Sequence, residues 1–372
     1  MQADRRFRSI RSFAGKSTNL RVLRCTYLRW GTKFRLAPIL MLVGLLAVVG
    51  CGGDDDSERA IVGEVTVADL NVLHGLFCPS ETGDCRVADR IDLLFEWVAS
   101  VGCPDVVTLQ EVLGRRAVDL VRRAAASSCP FAYEVLEPPM LGQNFTLSRY
   151  PVVESHEDAL VGFLRTRLLW HTRIDHPNGM VDVFNTHLAA GVDLGGEPCQ
   201  EPCPAECVDA GAVSNRDCQA VQIANLVEQH AAPGSLRVLA GDFNSTSETF
   251  VYDYLVNVRG WTDSYLEAGN PECDPATGVG CTSGREDEDL GDLESPAGGE
   301  RSRIDFLFVR EPASASSCSY EIDSADDADG DGFATMIFAG EPNPFSADCG
   351  ALPSSICWPS DHEGMQADLN CR

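Results

Sequence analysis

Apolar and polar residues alternate with two different periods in the first half of this chain. From residue 61 to residue 72 the alternation has a loose period of two, which predicts a strand with one buried face. Apolar residues recur at helical spacing over 87–101, and residues 115–127 predict a second helix. Between them, residues 105–110 predict a short buried strand that delivers Glu111 at its end.

The second half of the chain repeats this mixture of periods. Helical spacing predicts one helix over residues 215–230. A segment rich in Gly, Pro and Cys, 189–214, predicts an ordered insertion or a loop held by disulfides, and the polar, acidic segment 268–300 predicts an exposed loop. Strands are predicted over residues 160–172, 180–184, 236–240, 304–309 and 364–369.

Strands and helices are mixed over residues 61–372 without a break in composition. This predicts one domain with a layered α/β architecture. Residues 52–60 are polar and acidic, and they predict a tether that precedes the domain.

The first 51 residues predict an export signal. Ten basic residues and one acid give residues 1–50 a charge of +9, and an apolar run from Leu36 to Gly50 follows the basic region. A basic region, a short apolar stretch and small residues are typical of such a signal. The ending before Cys51 resembles a bacterial lipoprotein signal, with Cys51 as the acylated residue and a cell-envelope or outer-surface location. An uncleaved anchoring helix is the alternative.

Charge and cysteine content change the picture of the remaining chain. The whole sequence carries −27, so the part after the leader carries −36, and it contains no lysine. Such a surface disfavours tight, non-specific binding to nucleic acid, although the acidity could equally serve solubility. Of the sixteen cysteines, Cys25 lies in the leader and Cys51 at the predicted cleavage site. The other 14 favour disulfides in an exported chain, including local loops closed by Cys78 with Cys85 and by Cys273 with Cys281. The run 199–207 could suggest zinc, but bridges are favoured there too.

Six polar segments offer the chemistry of a hydrolytic site: LNVLHG (70–75), LQEV (109–112), NTHL (185–188), GDFN (241–244), RIDF (303–306) and SDHE (360–363). Phosphodiester hydrolysis needs a cation, a positioned water, and donors to the charge that develops. The residues that could supply them are Asn71, Glu111, His187, Asp242, Asn244, Asp305, Asp361 and His362.

The residue types suggest a role for each member of this set. Glu111 suits a principal ligand of Mg²⁺, with Mn²⁺ as an alternative, and Asn71 and Asp361 could support it directly or through water. Asp242 could orient or deprotonate the attacking water, and Asn244 could donate to a phosphate oxygen. His187 and His362 could donate to the phosphate or accept a proton, and Asp305 could fix the tautomer of one of them.

The order of these segments, together with LSRYP (147–151), resembles the endonuclease/exonuclease/phosphatase superfamily, which includes deoxyribonuclease I-like nucleases and neutral sphingomyelinases. The resemblance implies a four-layer α/β sandwich, two packed mixed β-sheets flanked by helices, with a divalent-metal site at one rim. It implies that Asn71 and Glu111 belong to the metal site, that His187 contacts the phosphate and that Asp305 pairs with His362. Arg216 and Gln219 resemble a helix pattern of structural role.

The interpretation favoured by these features is a surface-anchored, metal-dependent phosphodiesterase. Its substrate would be extracellular nucleic acid or a phospholipid head group, as in the sphingomyelinase-like branch, and no protein partner is predicted. A non-catalytic surface binding lipoprotein on the same fold is the alternative.

Three further features of the sequence are less specific. The sequence DADGDG at 327–332 resembles the start of a calcium loop, so a structural Ca²⁺ at Asp327, Asp329 and Asp331 and a simple acidic turn are both open. An arginine cluster at 165–173 favours salt bridges over substrate contacts. The remaining histidines, at 74, 156, 171, 176 and 230, are expected to be surface or core residues rather than catalysts.

Overall fold

The computed structural model of the protein describes residues 63–75, 78, 84–139, 143–162, 166–191, 194–199, 203–285, 293–294, 299–310, 320–322 and 356–371. Cys51, the predicted tether and the calcium-loop residues Asp327, Asp329 and Asp331 lie outside these ranges. In the part that is described, no helix is both long enough and apolar enough to cross a membrane.

Twelve strands and six α-helices make up the described chain. In chain order they are β1 (Gly63–Asn71), α1 (Val87–Ser100), β2 (Val106–Gln110), α2 (Gly114–Ala126), β3 (Glu134–Leu136), β4 (Phe145–Ser148), β5 (Val152–Ala159), β6 (Leu168–His176), β7 (Gly179–His187), α3 (Ala205–Asp209), α4 (Asn215–His230), β8 (Leu236–Asp242), α5 (Phe250–Asp253), β9 (Thr262–Asp263), α6 (Ser264–Glu267), β10 (Asp305–Arg310), β11 (Tyr320–Ile322) and β12 (Met365–Cys371). A 3₁₀ turn (Asp84–Arg86) precedes α1, and a π-helical turn (Tyr254–Val258) follows α5.

The strands form two six-stranded mixed sheets. One has the order β11-β12-β1-β2-β4-β3 and the other has the order β5-β6-β7-β8-β10-β9. Side chains such as Val67 of the first sheet and Val183 of the second share one buried core between the sheets. A second core joins the first sheet to α1 and α2, and a third joins the other sheet to α4. The predicted four-layer α/β sandwich is confirmed.

The inner face of each sheet changes from apolar to polar along its strands. In β1, Val65 and Val67 belong to the core between the sheets, and Asp69 and Asn71 continue the same face because side chains alternate with a period of two. The strands β7, β8 and β10 show the same change. One end of the inner layer is therefore hydrophobic, and polar side chains are concentrated towards the other end.

Helix α4 agrees with its predicted limits because its ends carry strong signals. Ser214 accepts a hydrogen bond from the Asp217 amide, and the Asp217 side chain accepts one from the Ser214 amide, so a capping box fixes the first turn. Apolar residues at helical spacing, among them Val221 and Val227, pack into the third core.

The predicted strand 160–172 is wrong in part, because its first residues lie outside the sheet and only residues 168–172 belong to β6. Strand β5 lies before it, the chain leaves the sheet after Ala159, and β6 begins only at Leu168. Gly162 has a φ of +136° between the two strands, a conformation that glycine adopts readily and that interrupts a strand. The apolar run therefore begins after β5 and continues into the start of β6, and β5 itself escaped prediction because its sequence, VVESHEDA, is mostly polar.

The predicted exposed loop 268–300 is also wrong in part. Cys281, Thr282 and Leu293 are buried, and Glu294 forms a buried ion pair with Arg90, with a distance of 2.6 Å between Oε1 and Nη2. The acidic run therefore supplies the counter-ion for a buried arginine of α1, a long-range pairing that local composition cannot reveal.

Five disulfides join described cysteines. The predicted local loops Cys78–Cys85 and Cys273–Cys281 are both present. The segment 199–207 contributes to two bridges, Cys199–Cys203 and Cys207–Cys218, so disulfides rather than a zinc site account for it. Cys103–Cys129 connects the segments that follow α1 and α2.

A buried carboxylate holds together the end of the sandwich that lies opposite the polar end. Asp105 accepts hydrogen bonds from the amide and hydroxyl of Thr66, both at 3.1 Å, and from Arg149 at 3.1 Å. The His176 Nε2 atom lies 3.4 Å from the same carboxylate. Burial raises the pKa of Asp105, but the contacts with His176 and Thr66 outweigh it and hold the pKa below its ordinary value.

We expect the substitution Asp105→Asn to lower the free energy of unfolding at neutral pH by about 1–3 kcal/mol, because charged acceptor bonds in a buried site are lost. The pKa of Asp105 is lower in the folded protein than in the unfolded chain, where it is about 3.9, so the ionised carboxylate stabilises the fold above that pH. This stabilisation is lost as the pH falls through the lower pKa of the folded protein. The stability of the variant should therefore fall less steeply than that of the wild type below about pH 4. Urea titrations at several pH values measure both effects, and equal acid sensitivity of the two proteins would contradict the assignment.

Candidate active site

Three polar residues form a row across the second sheet at the polar end of the inner layer. His187, the last residue of β7, pairs in register with Asp242, the last residue of β8. Asp242 in turn pairs with Asp305, the first residue of β10. The C-terminal ends of β1 and β2 deliver Asn71 and Glu111 opposite this row.

Asn71 bridges the two sheets through its side-chain amide. Its Nδ2 atom donates to Glu111 Oε1 at 3.1 Å and to Asp242 Oδ2 at 3.1 Å. Its Oδ1 atom accepts a hydrogen bond from the Leu73 amide at 3.2 Å, which fixes the side chain. The predicted metal residues Asn71 and Glu111 are therefore neighbours in direct contact.

Glu111 lies on a turn with an unusual backbone conformation. Its φ is +64°, in the left-handed region that residues other than glycine seldom adopt. The carboxylate accepts a hydrogen bond from the His74 amide at 2.7 Å, and the His74 ring lies 3.6 Å away. His74, which was not expected to be a catalyst, lies beside the site, because both its backbone amide and its ring face this carboxylate. Such conformations persist where the surrounding structure fixes them, often at functional sites.

Asp242 lies at the centre of the site and is almost fully buried. Its Oδ2 atom is 3.3 Å from His187 Nε2 and 4.0 Å from His362 Nε2, and its Oδ1 atom accepts the Asn244 amide at 2.8 Å. Burial, followed by repulsion from the carboxylate of Asp305, raises the pKa of Asp242 to about 7. The side chain can therefore exchange a proton near neutral pH.

His362 is held by Asp305. The two side chains form a buried hydrogen bond of 2.8 Å between Nδ1 and Oδ2, as the family resemblance implies. Burial lowers the pKa of His362, but the charges of Asp305, Asp361 and Asp242 outweigh it and raise the pKa well above its ordinary value. The ring is therefore an imidazolium that can donate a proton or a hydrogen bond through Nε2.

His187 has the opposite electrostatic character. Burial, followed by the positive charges of Arg167 and His362, lowers its pKa well below the ordinary value. The ring is therefore neutral at pH 7. Environments that separate the pKa values of two neighbouring groups in this way are typical of acid and base assignments in an active site.

Asn244 and its supporting helix lie beside this pair of histidines. Asn244 adopts a left-handed φ of +48°, and its side-chain amide donates to the Leu188 carbonyl at 3.0 Å. From α4, Arg216 donates to the carbonyls of Ala189 and Asn244, and Gln219 bonds the Ala189 amide. The predicted structural role of Arg216 and Gln219 is confirmed, because they fix the loops that follow β7 and β8.

The structure brings together seven of the eight predicted site residues, and the eighth lies at their edge. The donor atoms of Glu111, His187 and Asp242 lie within 4.8 Å of one another, as do those of Asp242, Asp305 and His362. Asp361 is half-buried, its carboxylate accepts the Ser360 hydroxyl at 3.0 Å, and its charge acts on His362.

A polar layer that was not predicted from the sequence lies directly beneath the site. Asp69 accepts a hydrogen bond from Gln110 at 2.7 Å, and Gln110 also donates to Asn185 of the opposite sheet at 3.0 Å. Burial raises the pKa of Asp69 to about 8, and the charges of Asp305 and Asp242 contribute to that shift. The signal was present in the two-residue period, because Asp69 lies on the same strand face as Asn71.

The donor set fits a hard divalent cation. Glu111 and Asn71 offer carboxylate and amide oxygens, which Mg²⁺ and Mn²⁺ prefer, and the Asp242 carboxylate lies beside them. Repulsion among the buried carboxylates also raises the pKa of Asp242, and a cation would relieve that repulsion. The arrangement thus combines a cation site with groups that can move protons.

We expect Gly241→Ala to reduce both stability and activity, because a methyl group at this position would lie 1.9 Å from the Thr186 carbonyl oxygen. Gly241 also has a φ of +141°, so the substitution strains the backbone and separates β8 from β7 at the point where Asp242 is held. Thermal melting and a phosphodiesterase assay measure the two losses. Gly260→Ala is the matched control, since its φ is also positive, at +70°, but nothing lies within 4 Å of the added methyl group. Equal effects of the two substitutions would contradict the role of the close approach.

The comparisons agree with this geometry. The model of the Endonuclease/Exonuclease/phosphatase family matches residues 70–362, whereas no curated protein matches the sequence. A structure of D. rerio TDP2 in complex with a single-strand DNA product has 19% identity and a TM-score of 0.54, covering 82% of this chain and 99% of that one.

Two bacterial structures also resemble this chain over 82% of its length. An endonuclease/exonuclease/phosphatase family protein from Bacteroides thetaiotaomicron has 14% identity and a TM-score of 0.54, covering 82% of this chain and 97% of that one. The beta toxin 275-280 of Staphylococcus aureus has 16% identity and a TM-score of 0.50, covering 82% of this chain and 99% of that one. At these low identities the three structures show a shared fold alone. The family model, however, spans most of the chain, so the protein belongs to the Endonuclease/Exonuclease/phosphatase family.

Proposed function

We propose that this protein is a divalent-metal-dependent phosphodiesterase. The observation that carries the proposal is the row of His187, Asp242 and Asp305, which faces Asn71 and Glu111 across the two sheets. A cation-binding carboxylate, a proton-exchanging carboxylate and two histidines of opposite charge state thus meet at one end of the inner layer. Membership of the family supports the same conclusion.

The cation would be held by Glu111 and Asn71, with Asp361 in support. When bound, it would neutralise charge on the substrate phosphate. The chain itself supplies the remaining chemistry. Asp242 orients the attacking water and accepts its proton, which suits a pKa of about 7. Asn244 donates to a phosphate oxygen.

The two histidines divide the handling of the phosphate between them. His362, kept charged and oriented by Asp305, donates to the phosphate or to the leaving oxygen. His187 is neutral and can contact the phosphate through its Nε2–H, which lies beside Asp242. This division follows from the opposite directions of their pKa shifts.

The charge distribution favours a small or membrane-presented phosphodiester, such as a phospholipid head group, over long nucleic acid. The chain after the leader carries −36, which repels a polyanion. Arginines of the second sheet and of α4 are already engaged, because Arg173 pairs with Asp182 and Arg216 bonds two backbone carbonyls. The likeness to the DNA-product complex of TDP2 supports nucleic acid as the competing substrate.

We expect the purified protein to hydrolyse at least one member of a panel of DNA, RNA, sphingomyelin, phosphatidylcholine and a generic phosphodiester when Mg²⁺ or Mn²⁺ is present. The substitution His187→Ala should lower kcat/KM by about 10²–10³-fold, because a positioned donor to the phosphate is lost. His176→Gln is the matched control, since this buried histidine lies at the opposite end of the inner layer.

Three outcomes would contradict the proposal. Full activity in the presence of chelator would exclude the metal role. Equal activity of the wild type and His187→Ala would exclude the proposed site. Inactivity of the wild type on the whole panel would favour a non-catalytic binding protein on this fold.

We also propose that the protein is exported and attached to the cell envelope through a lipid on Cys51. The basic segment, the apolar run 36–50 and the cysteine that follows them support this location. When the full chain is expressed in a bacterial host, we expect Cys51→Ser to move it from the membrane fraction to the soluble envelope fraction. Metabolic labelling with a fatty acid should label only the wild type, and labelling of both proteins would contradict acylation at this cysteine.

A further inference from the structure

A cluster of three histidines lies outside the candidate active site, on the outer face of the second sheet. His156 of β5 and His171 of β6 are direct register partners, and His230 is the last residue of α4. One ring nitrogen from each histidine lies within 4.8 Å of those of the other two. The histidine cluster (His156, His171 and His230) thus joins an edge strand, its neighbour and a helix end.

Each ring is oriented by its own carboxylate. The Nε2 atoms of His156, His171 and His230 lie 2.8 Å, 2.7 Å and 2.7 Å from carboxylate oxygens of Glu154, Asp182 and Asp158, in that order. A histidine that binds a metal nearly always donates its second ring nitrogen to a carboxylate or carbonyl in this way. In the tautomer that donates from Nε2, the Nδ1 atom of each ring carries the lone pair that a metal would use.

The Nδ1 atom of His171 is an independent indication of a missing ligand. The side chain is 0% exposed, and Nδ1 has no hydrogen-bond partner among the residues that the structure describes. Buried polar atoms of proteins are nearly always bonded, so an unbonded one needs a specific explanation. Hydrogen bonds to the three carboxylates account for the positions of the three Nε2 atoms, but they give the buried Nδ1 atom of His171 no partner.

The charge around the histidine cluster matches a divalent cation. Glu154, Asp158 and Asp182 contribute three negative charges, and Arg173, which bonds Glu154 and Asp182, contributes one positive charge. The net charge of these four groups is therefore −2. Burial lowers the pKa of His230 below its ordinary value, which favours the neutral ring that a metal requires.

We propose that the histidine cluster is a second metal site that takes a borderline transition cation, with Zn²⁺ as the best match. Imidazole nitrogens suit Zn²⁺, whereas Mg²⁺ requires oxygen ligands. The donor atoms now lie within 4.8 Å of one another, and Zn–N bonds of about 2.0–2.1 Å require them to move closer. The stacked rings of His156 and His230, whose planes differ by 18°, must also turn towards the cation. The side chain of His156 is 39% exposed on an edge strand, so it can move towards the cation and leaves an entry path.

The role of this site would be structural. A cation held by His156, His171 and His230 would connect β5, β6 and the C-terminal end of α4 with bonds that the hydrophobic core does not supply. It would therefore raise the melting temperature, since a ligand that binds only the folded state stabilises that state.

The test is a calorimetric titration of metal-stripped protein with Zn²⁺ in an excess of Mg²⁺, which occupies the oxygen-rich active site. We expect one Zn²⁺ to bind per chain and to raise the melting temperature. Binding should be lost in His156→Ala and His171→Ala. It should weaken by about 10–100-fold in Asp182→Asn, which keeps the rings but changes their orientation. His176→Gln, a buried histidine outside the histidine cluster, should bind as the wild type does.

The variants separate this proposal from metal binding elsewhere. Because His156 is half-exposed, His156→Ala should keep the fold, which circular dichroism verifies. Unchanged Zn²⁺ binding by a folded His156→Ala protein would overturn the proposal, as would a wild type that binds no Zn²⁺. Binding that is lost only in Glu111→Gln would place the zinc in the active site and would also overturn it.

Discussion

Alternation of side chains along a strand is the constraint on which the rest of this structure depends. Every second residue faces the space between the sheets, so the residues that lock the sheets together and the residues that perform chemistry share one face. In β1, Val65 and Val67 lie on that face before Asp69 and Asn71. A register slip of one residue would turn the valines towards the helices and remove the polar residues from the site together. Stability and function are therefore fixed by the same register.

The consequence of that arrangement is a set of acids buried close to one another. Burial raises the pKa of Asp69 to about 8 and that of Asp242 to about 7, whereas Asp305 is matched by the charged ring of His362. The site therefore holds more negative potential than its own cations compensate. Such a site attracts a divalent cation and keeps one carboxylate ready to exchange a proton near neutral pH. The same field keeps His362 charged, while burial and Arg167 keep His187 neutral.

Features that depend on interactions between residues close together in the sequence could be predicted. Helix α4 has a capping signal and helical spacing, and its predicted limits agree with the structure. The residues that meet at the active site could be predicted as a set because each lies at or close to the end of a strand, beside an apolar run. Pairings between distant segments could not be predicted in this way. Glu294 looked like part of a solvated loop, yet it pairs with Arg90, and His156, His171 and His230 lie in three separate elements.

Helix α4 relates the active site to the histidine cluster. Arg216 in its first turn holds the loops that carry Asn244, and His230 ends the helix beside His171. Sixteen residues at a rise of 1.5 Å separate these ends by about 24 Å, which is roughly three Debye lengths at physiological salt. The histidine cluster lies closer to the active site along the sheet than along the helix, because His171 pairs in register with Phe184, three residues before His187. At about 3.3 Å per residue this separation is roughly 10 Å. A cation in the histidine cluster can therefore act on His187 through β7 as well as through the position of α4.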